Sequence, residues 1–247
     1  MIKPNIIISK CINFDECRFN WWIIKEPFLE SLWKYVNYIP VCPEVAIWLS
    51  TPRLPLRIFR SHEWLRLYQP ATEIDLTDKM NKFSQNFLKS QENIDWFILK
   101  NKSPSCWIRD VKVYNKIDSH VSTERDWVWT FTSNIDDFFL HIPKEDEWRL
   151  KNFRLREEFL TKIFCLADFR EIKNKLVISE LSDFQAKNKY LFMFYSPKIQ
   201  KELWQIIASY NKSNIDDIYE SYYLKLLELF QTETKIWKMI NSLTHIF

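Results

Sequence analysis

Short apolar runs alternate with amphipathic stretches through the first 145 residues of the chain. Several runs are rich in β-branched and aromatic residues and stop at a polar residue or proline, which predicts buried strands. The predicted strands span residues 5–9, 38–41 and 95–100, and residues 57–60 and 65–68 predict a hairpin. Residues 26–37 and 75–93 repeat apolar side chains at helical spacing and predict helices between the strands. This alternation is typical of an α/β domain, here with a mainly parallel sheet and flanking helices.

From about Leu150 the pattern changes to nearly continuous helical periodicity, as in Leu155, Phe159 and Ile163. An all-α domain is therefore expected to follow the α/β domain. The polar, proline-containing segment 141–147 predicts a linker, so the two domains are expected to span residues 1–145 and 146–247. Because the chain ends inside a predicted helix, the helical domain is expected to be truncated at its C-terminus.

The composition is unusual in two residue types: the 247 residues include no glycine and 12 tryptophans. The formal net charge is only +3, which does not identify a partner. No signal peptide and no long uncharged apolar run is present, so a cytoplasmic protein without membrane contact is expected. Five cysteines, an odd number, argue against a secreted disulfide framework and leave free thiols, a metal site or a cluster open.

Three of the cysteines hold equivalent positions relative to the predicted strands. Cys11 follows the first strand, Cys42 follows the second, and Cys106 lies in the loop after the third. The carboxyl ends of parallel strands meet at one edge, where open α/β sheets bind their ligands. Converging thiolates suit an iron–sulfur cluster or zinc. The alternative is that each cysteine is a small buried residue at a strand end.

The residues around these cysteines resemble a known family. Residues 9–11 read Ser-Lys-Cys, residues 17–20 Cys-Arg-Phe-Asn, residues 41–45 Val-Cys-Pro-Glu-Val, and residues 99–106 Leu-Lys-Asn-Lys-Ser-Pro-Ser-Cys. These segments resemble the 2-thiouracil desulfurase family. Segments 147–159 and 188–197 are similar to the YbgA-like helical domain that is often fused to it.

The resemblance implies a non-redox removal of sulfur from a thiolated nucleobase or a similar small thiocarbonyl compound. Cys11, Cys42 and Cys106 would hold a [4Fe–4S] cluster with one iron open to the substrate. Glu44 would orient or deprotonate the attacking water, or transfer a proton to the base. Ser103 and Ser105 would donate hydrogen bonds to the substrate or to cluster sulfur.

Four further residues near these motifs or in the helical half have less specific interpretations. Arg18 and Asn20 could position an anionic or heterocyclic ligand, or form a surface ion pair. Cys17 lies in the same loop as Cys11, and a packed thiol is favoured there over an alternative ligand. Cys165 follows apolar residues of a predicted helix and is interpreted as a core residue.

The tryptophans provide a further hypothesis, because six of them stand where the family has or is expected to have glycine. They are Trp21, Trp22, Trp48, Trp96, Trp107 and Trp148. Glycine positions would then be written as tryptophan, by substitution or through a reassigned UGA codon. A bulky side chain at a position that needs positive φ costs about 1–3 kcal/mol, so the chain as written is expected to fold poorly and to hold little cluster.

Two other functions stay open at this point. The first is an interaction module that a metal or cluster stabilises, without turnover. The second is association with nucleic acid, since thiolated bases occur in tRNA and the helical half carries lysine and arginine.

Overall fold

A computed structural model describes residues 2–61, 64–106, 108, 111–115, 124–126, 131–139, 141–211 and 214–232. Two compact units form, one from residues 3–161 and one from residue 162 onward. The first unit contains all the strands found in these ranges, and the second contains helices without strands. The predicted order of an α/β domain followed by an all-α domain is therefore confirmed.

In the described part of the first unit, nine strands form two sheets. The strands are β1 (Asn5–Ser9), β2 (Asn37–Val41), β3 (Arg57–Ser61), β4 (Trp64–Gln69), β5 (Ile74–Asp75), β6 (Trp96–Leu99), β7 (Val111–Tyr114), β8 (Glu124–Asp126) and β9 (Lys144–Asp146). A parallel four-stranded sheet has the order β2-β1-β6-β9. A mixed five-stranded sheet has the order β5-β4-β3-β7-β8 and includes the predicted hairpin, β3 with β4.

Nine α-helices lie in the described ranges. They are α1 (Pro27–Ser31), α2 (Pro43–Ala46), α3 (Thr77–Lys89), α4 (Phe131–Phe138), α5 (Phe153–Lys175), α6 (Ile178–Lys187), α7 (Lys189–Tyr195), α8 (Pro197–Ala208) and α9 (Ile215–Gln231). None of the helices in this part of the chain is long and apolar enough to span a bilayer.

Two predicted boundaries differ from the structure. The helix predicted over 26–37 is an α-helix only over Pro27–Ser31; a 3-10 turn follows at Leu32–Lys34, and Asn37 already pairs with β1 as the start of β2. The segment 141–147, predicted to be a linker, contains β9, whose charged residues 144–146 pair in parallel with β6. Its polar sequence has no strand pattern, so only the pairing reveals this edge strand.

The two central strands of the parallel sheet, β1 and β6, are buried on both faces, as their continuous apolar runs predict. Ile7 and Phe97 point to one face and pack into a core with Leu88 of α3 and Phe131 of α4. On the other face Trp96 contacts the ring of Phe159 edge-on at a centroid distance of 5.3 Å.

Two of the six tryptophans at expected glycine positions have left-handed backbone. Trp21 has φ 61° and Trp48 has φ 68°, whereas Trp22, Trp96 and Trp148 do not have positive φ. Trp107 lies outside the described residues. Trp48 follows Ile47, the residue that caps α2. Its N–H donates to Val45 O at 2.9 Å, and a left-handed residue that ends a helix in this way is most often glycine. The glycine argument from φ therefore applies at Trp21 and Trp48.

We expect Trp48→Gly to raise the free energy of unfolding by about 0.5–1 kcal/mol. The left-handed conformation costs a non-glycine residue about 1–2 kcal/mol, and glycine removes this cost. The greater conformational entropy of glycine in the unfolded state offsets part of the stabilisation. Trp48 is 88% exposed, so little packing is lost. Urea unfolding measures the change. Trp148→Gly is the matched control, since Trp148 is also exposed but has φ −76°; an equal gain at both positions would contradict the argument.

Candidate functional site

The carboxyl ends of three parallel strands meet at one edge of the four-stranded sheet. Ser9 at the end of β1 is aligned with Val41 at the end of β2, and Ile8 is aligned with Ile98 of β6. Lys10 N–H donates to Val41 O at 2.8 Å, and Lys100 N–H donates to Ser9 Oγ at 2.9 Å. The loops that leave this edge are thus tied to one another where they begin.

A cavity of about 340 Å³ opens between these loops. Four of the five cysteines line it, together with Glu44 and Ser103. The cysteines are Cys11, Cys17, Cys42 and Cys106. All four thiols are free of disulfide bonds, and all but the half-buried Cys42 are buried. Cys165 lies instead in α5, in the second unit, where it is buried.

The thiols interact with one another and with nearby hydroxyls. The neighbouring thiol of Cys11, together with burial, raises the pKa of Cys17 to about 12, against the opposing effect of Cys42. Burial raises the pKa of Cys106 to about 12, against the opposing hydrogen bonds from Ser9 and Ser105. Thiols with raised pKa are neutral at pH 7, so a metal that binds them must displace their protons.

A buried ion pair lies beside the thiols. Glu44 is in the first turn of α2, directly after Cys42 and Pro43, and is 8% exposed. Arg53 Nε donates to Glu44 Oε2 at 2.6 Å, and its Nη2 contacts the same oxygen. Arg53 Nη1 donates to the backbone oxygen of Cys17 at 2.9 Å. One guanidinium therefore connects the loop after β1 with the helix after β2.

The second oxygen of Glu44 is bound by a serine. Ser105 Oγ donates to Glu44 Oε1 at 2.5 Å, and lies 3.2 Å from Ser103 Oγ and 3.9 Å from Cys106 Sγ. Ser105 is fully buried, whereas Ser103 lines the cavity. The two hydroxyls thus connect the cavity with the carboxylate, in an arrangement through which a proton can pass.

The loop that carries the serines is held at both of its ends. Lys100 Nζ donates to Glu147 Oε1 at 2.6 Å, and Asn101 N–H donates to Glu147 Oε2 at 2.8 Å. At the other end Thr132 Oγ1 donates to Cys106 O at 3.1 Å. These bonds fix the loop relative to β9 and α4.

The cavity has a positively charged lining. Five cationic side chains line it against one carboxylate, Glu44, among the described residues. The cations are Lys10, Arg18, Arg53, Lys100 and Lys102. Lys10, Arg53 and Lys100 are paired with Asp15, Glu44 and Glu147. The remaining excess comes from Arg18 and Lys102, and it favours an anionic occupant such as a cluster with bound thiolates, or a sulfide ion.

The thiol set fits a polynuclear group better than one metal ion. Within the described ranges, no group of three or more His, Cys, Asp or Glu side chains is arranged to hold a single ion. A single zinc needs its thiolates within about 4 Å of each other, given Zn–S bonds of about 2.3 Å. Thiols spread around an electropositive cavity suit an iron–sulfur cluster, whose natural ligands are cysteine thiolates.

The structure brings most of the residues singled out from sequence to this cavity. Cys11, Cys42, Cys106, Glu44 and Ser103 line it, and Ser105 lies behind Glu44. Arg18 also lines the cavity, while Asn20 is exposed and is not among its lining residues.

Three residues that line the cavity were not assigned to the site from the sequence. Arg53 and Lys100 were not singled out, and Cys17 was assigned to packing although it lines the cavity. The signal for Arg53 is a charged residue in the otherwise apolar segment 52–56, shortly after the Cys-Pro-Glu motif.

Comparison with known proteins gives three results. The family model described as 2-thiouracil desulfurase matches residues 6–147, and a model described as a protein of unknown function, DUF1722, matches residues 189–247. A solved structure of a [4Fe-4S]-dependent thiouracil desulfidase, TudS, is similar at a TM-score of 0.48 and 24% identity. The similarity covers 64% of this chain and 99% of that one. No curated protein sequence matches.

Proposed function

The chain belongs to the 2-thiouracil desulfurase family through residues 6–147, and on this basis we propose that it hydrolyses the C=S bond of a thiolated pyrimidine base. The balanced reaction replaces sulfur by oxygen: water is consumed, sulfide leaves, and no electrons are transferred. The single observation that carries the proposal is a cavity that four thiols line together with Glu44, whose carboxylate accepts a hydrogen bond from the buried Ser105.

Cys11, Cys42 and Cys106 would hold a [4Fe–4S] cluster. When bound, the cluster supplies a Lewis-acidic iron for the thiocarbonyl sulfur. The matching positions of the three cysteines after β1, β2 and β6 support this assignment, because each lies in a different loop of the same sheet edge.

Glu44 would accept the proton of the attacking water. Both oxygens of its carboxylate are already positioned, one by Arg53 and one by Ser105. Ser103 faces the cavity, so a proton can pass from water through Ser103 and Ser105 to Oε1. The Glu44 carboxylate is thus joined to the cavity by hydrogen-bonded hydroxyls. This connection gives a general base access to the proton that it removes.

The cations around the cavity would stabilise the negative charge that develops on the sulfur. Lys100 is held in place by Glu147, and Lys102 lies two residues further along the same loop. Positively charged groups fixed before the reaction stabilise such charge without reorganisation.

A neighbouring groove supports a substrate larger than the free base. This groove of about 660 Å³ shares Lys100 and Lys102 with the cavity and adds Arg57 and Lys112. Four cations and one carboxylate, Glu147, line it among the described residues. Such a lining favours a phosphate, as carried by a thiolated nucleotide or by tRNA.

The test is turnover by the anaerobically reconstituted chain, offered 2-thiouracil and 2-thiouridine monophosphate, with product and sulfide quantified. Because the tryptophans at glycine positions are expected to lower the yield of folded, loaded protein, turnover is measured per cluster-loaded chain. On that basis we expect turnover in the wild type and a fall in kcat of about 10²–10⁴ in Glu44→Gln, with iron content unchanged, because a general base contributes about that factor.

Glu30→Gln is the matched control, since Glu30 is an exposed carboxylate on α1. Unchanged kcat in Glu44→Gln would overturn the role of Glu44. A fully loaded wild type without turnover on either compound would instead favour the interaction module that a cluster stabilises.

A further inference from the structure

Cys17 is a fourth thiol in the cavity, and the proposed mechanism does not use it. Its side chain is 3% exposed and lines the cavity with the three cysteines assigned to the cluster. Cys17 therefore belongs to the thiol group by its position in the cavity and not only by its place in the sequence.

The loop that carries Cys17 is fixed by specific bonds. Arg53 donates to the backbone oxygen of Cys17, and Lys10 forms a 2.7 Å ion pair with Asp15. Asn13, at φ 64°, bonds the backbone of Glu26 through both ends of its amide, at 2.7 Å and 2.9 Å. These bonds hold the Cys17 backbone beside the cavity.

Cys165 shows what a merely packed thiol looks like in this chain. It is buried in α5, where Ile163 and Leu166 are also buried. Burial alone is common for cysteine and indicates nothing about ligation. Cys17 differs because it lines a cavity together with three other thiols and five cationic side chains.

We propose that the Cys17 thiolate binds the fourth iron of the cluster in the resting protein and is displaced by the thiocarbonyl sulfur of the substrate. This inference rests on the proposed function. The exchange is a ligand substitution: one Fe–S(Cys17) bond breaks, one bond to the substrate sulfur forms, and no oxidation state changes. The displaced thiolate remains close to Lys10 and Arg53, whose charges also line the cavity.

Cys17 thus competes with the substrate for one coordination position. If the thiolate occupies this position nine-tenths of the time, the apparent substrate affinity is reduced about tenfold. In return, the iron is covered when no substrate is present, which protects it from loss.

The test compares the Mössbauer spectra of ⁵⁷Fe-reconstituted wild type, Cys17→Ala and Cys17→Ser, with Cys165→Ala as the matched control. In the wild type we expect four similar, thiolate-bound irons, one of which changes when 2-thiouracil is added. In Cys17→Ala one iron differs before any substrate is present, KM falls about tenfold, and air converts the cluster to a three-iron form faster.

Cys17→Ser keeps the size and polarity of the side chain and is expected to shift the signal of the same single iron. Identical spectra of wild type and both Cys17 variants would overturn the inference while leaving turnover, and hence the proposed function, intact. Loss of the whole cluster in both variants would also overturn it, because Cys17 would then be a required ligand and not a displaceable one. Failure of the wild type to bind iron would contradict the proposed function itself.

Discussion

Replacing Cys42 by serine is expected to abolish cluster binding and to reduce turnover by at least about 10³. A serine hydroxyl is a poor ligand for iron in a site built from soft thiolates. A metal supplies several kcal/mol of transition-state stabilisation, and each 1.36 kcal/mol is a tenfold change in rate. Iron and sulfide content after anaerobic reconstitution, together with sulfide release from 2-thiouracil, measure the effect.

Cys165→Ser is the matched control, since Cys165 is also a buried free thiol but lies in the second unit. It should retain full iron content, even where the hydroxyl lowers thermal stability. If Cys42→Ser holds as much iron as Cys165→Ser and turns over at the wild-type rate, Cys42 is not a ligand.

Arg53→Met is expected to destabilise the first unit by about 3–5 kcal/mol. The Arg53 side chain is only 5% exposed, and its loss leaves the buried Glu44 carboxylate without its cationic partner. Breaking a buried ion pair by removing one partner costs about this much, because a desolvated charge remains. The same substitution also removes the bond to the Cys17 backbone. Urea unfolding of the protein without cluster measures the change.

Two variants separate this effect from the general loss of an arginine. Arg66→Met breaks the exposed 3.2 Å pair with Asp75 and should cost no more than about 1 kcal/mol. The double variant Arg53→Met with Glu44→Gln should recover part of the lost stability, because no uncompensated charge is buried. Equal losses in Arg53→Met and Arg66→Met would show that the Glu44 charge is not the cause.

Much of the first unit could be predicted from its apolar runs. The strands at residues 5–9, 38–41 and 95–100 and the hairpin at 57–68 were expected and are present as β1, β2, β6 and the β3–β4 pair. Continuous runs of β-branched residues are typical of strands that are buried on both faces. The strands β7, β8 and β9 were missed because each is short and carries charged residues, so their pairing depends on partners elsewhere in the chain.

The candidate site also has features that could be predicted from the sequence and features that could not. The place of each of the three assigned cysteines after a strand, and the Cys-Pro-Glu order, were visible in the chain. The Arg53 bonds to Glu44 and to the Cys17 backbone were not, because they join three loops separated by up to 36 positions. Such contacts exist only once the sheet has brought those loops together.

The sequence by itself determined the fold class, the sheet edge at which a site would form, and the residue types that point to a thiolate-bound cluster. The family resemblance also singled out six tryptophans that stand where the family has or is expected to have glycine. The tertiary structure decided which thiols line one cavity, which of the five described tryptophans among these have positive φ, and how Glu44 is held. The physical reason is that local periodicity depends on neighbours in the chain, whereas hydrogen bonds and ion pairs between loops depend on distances that only folding establishes.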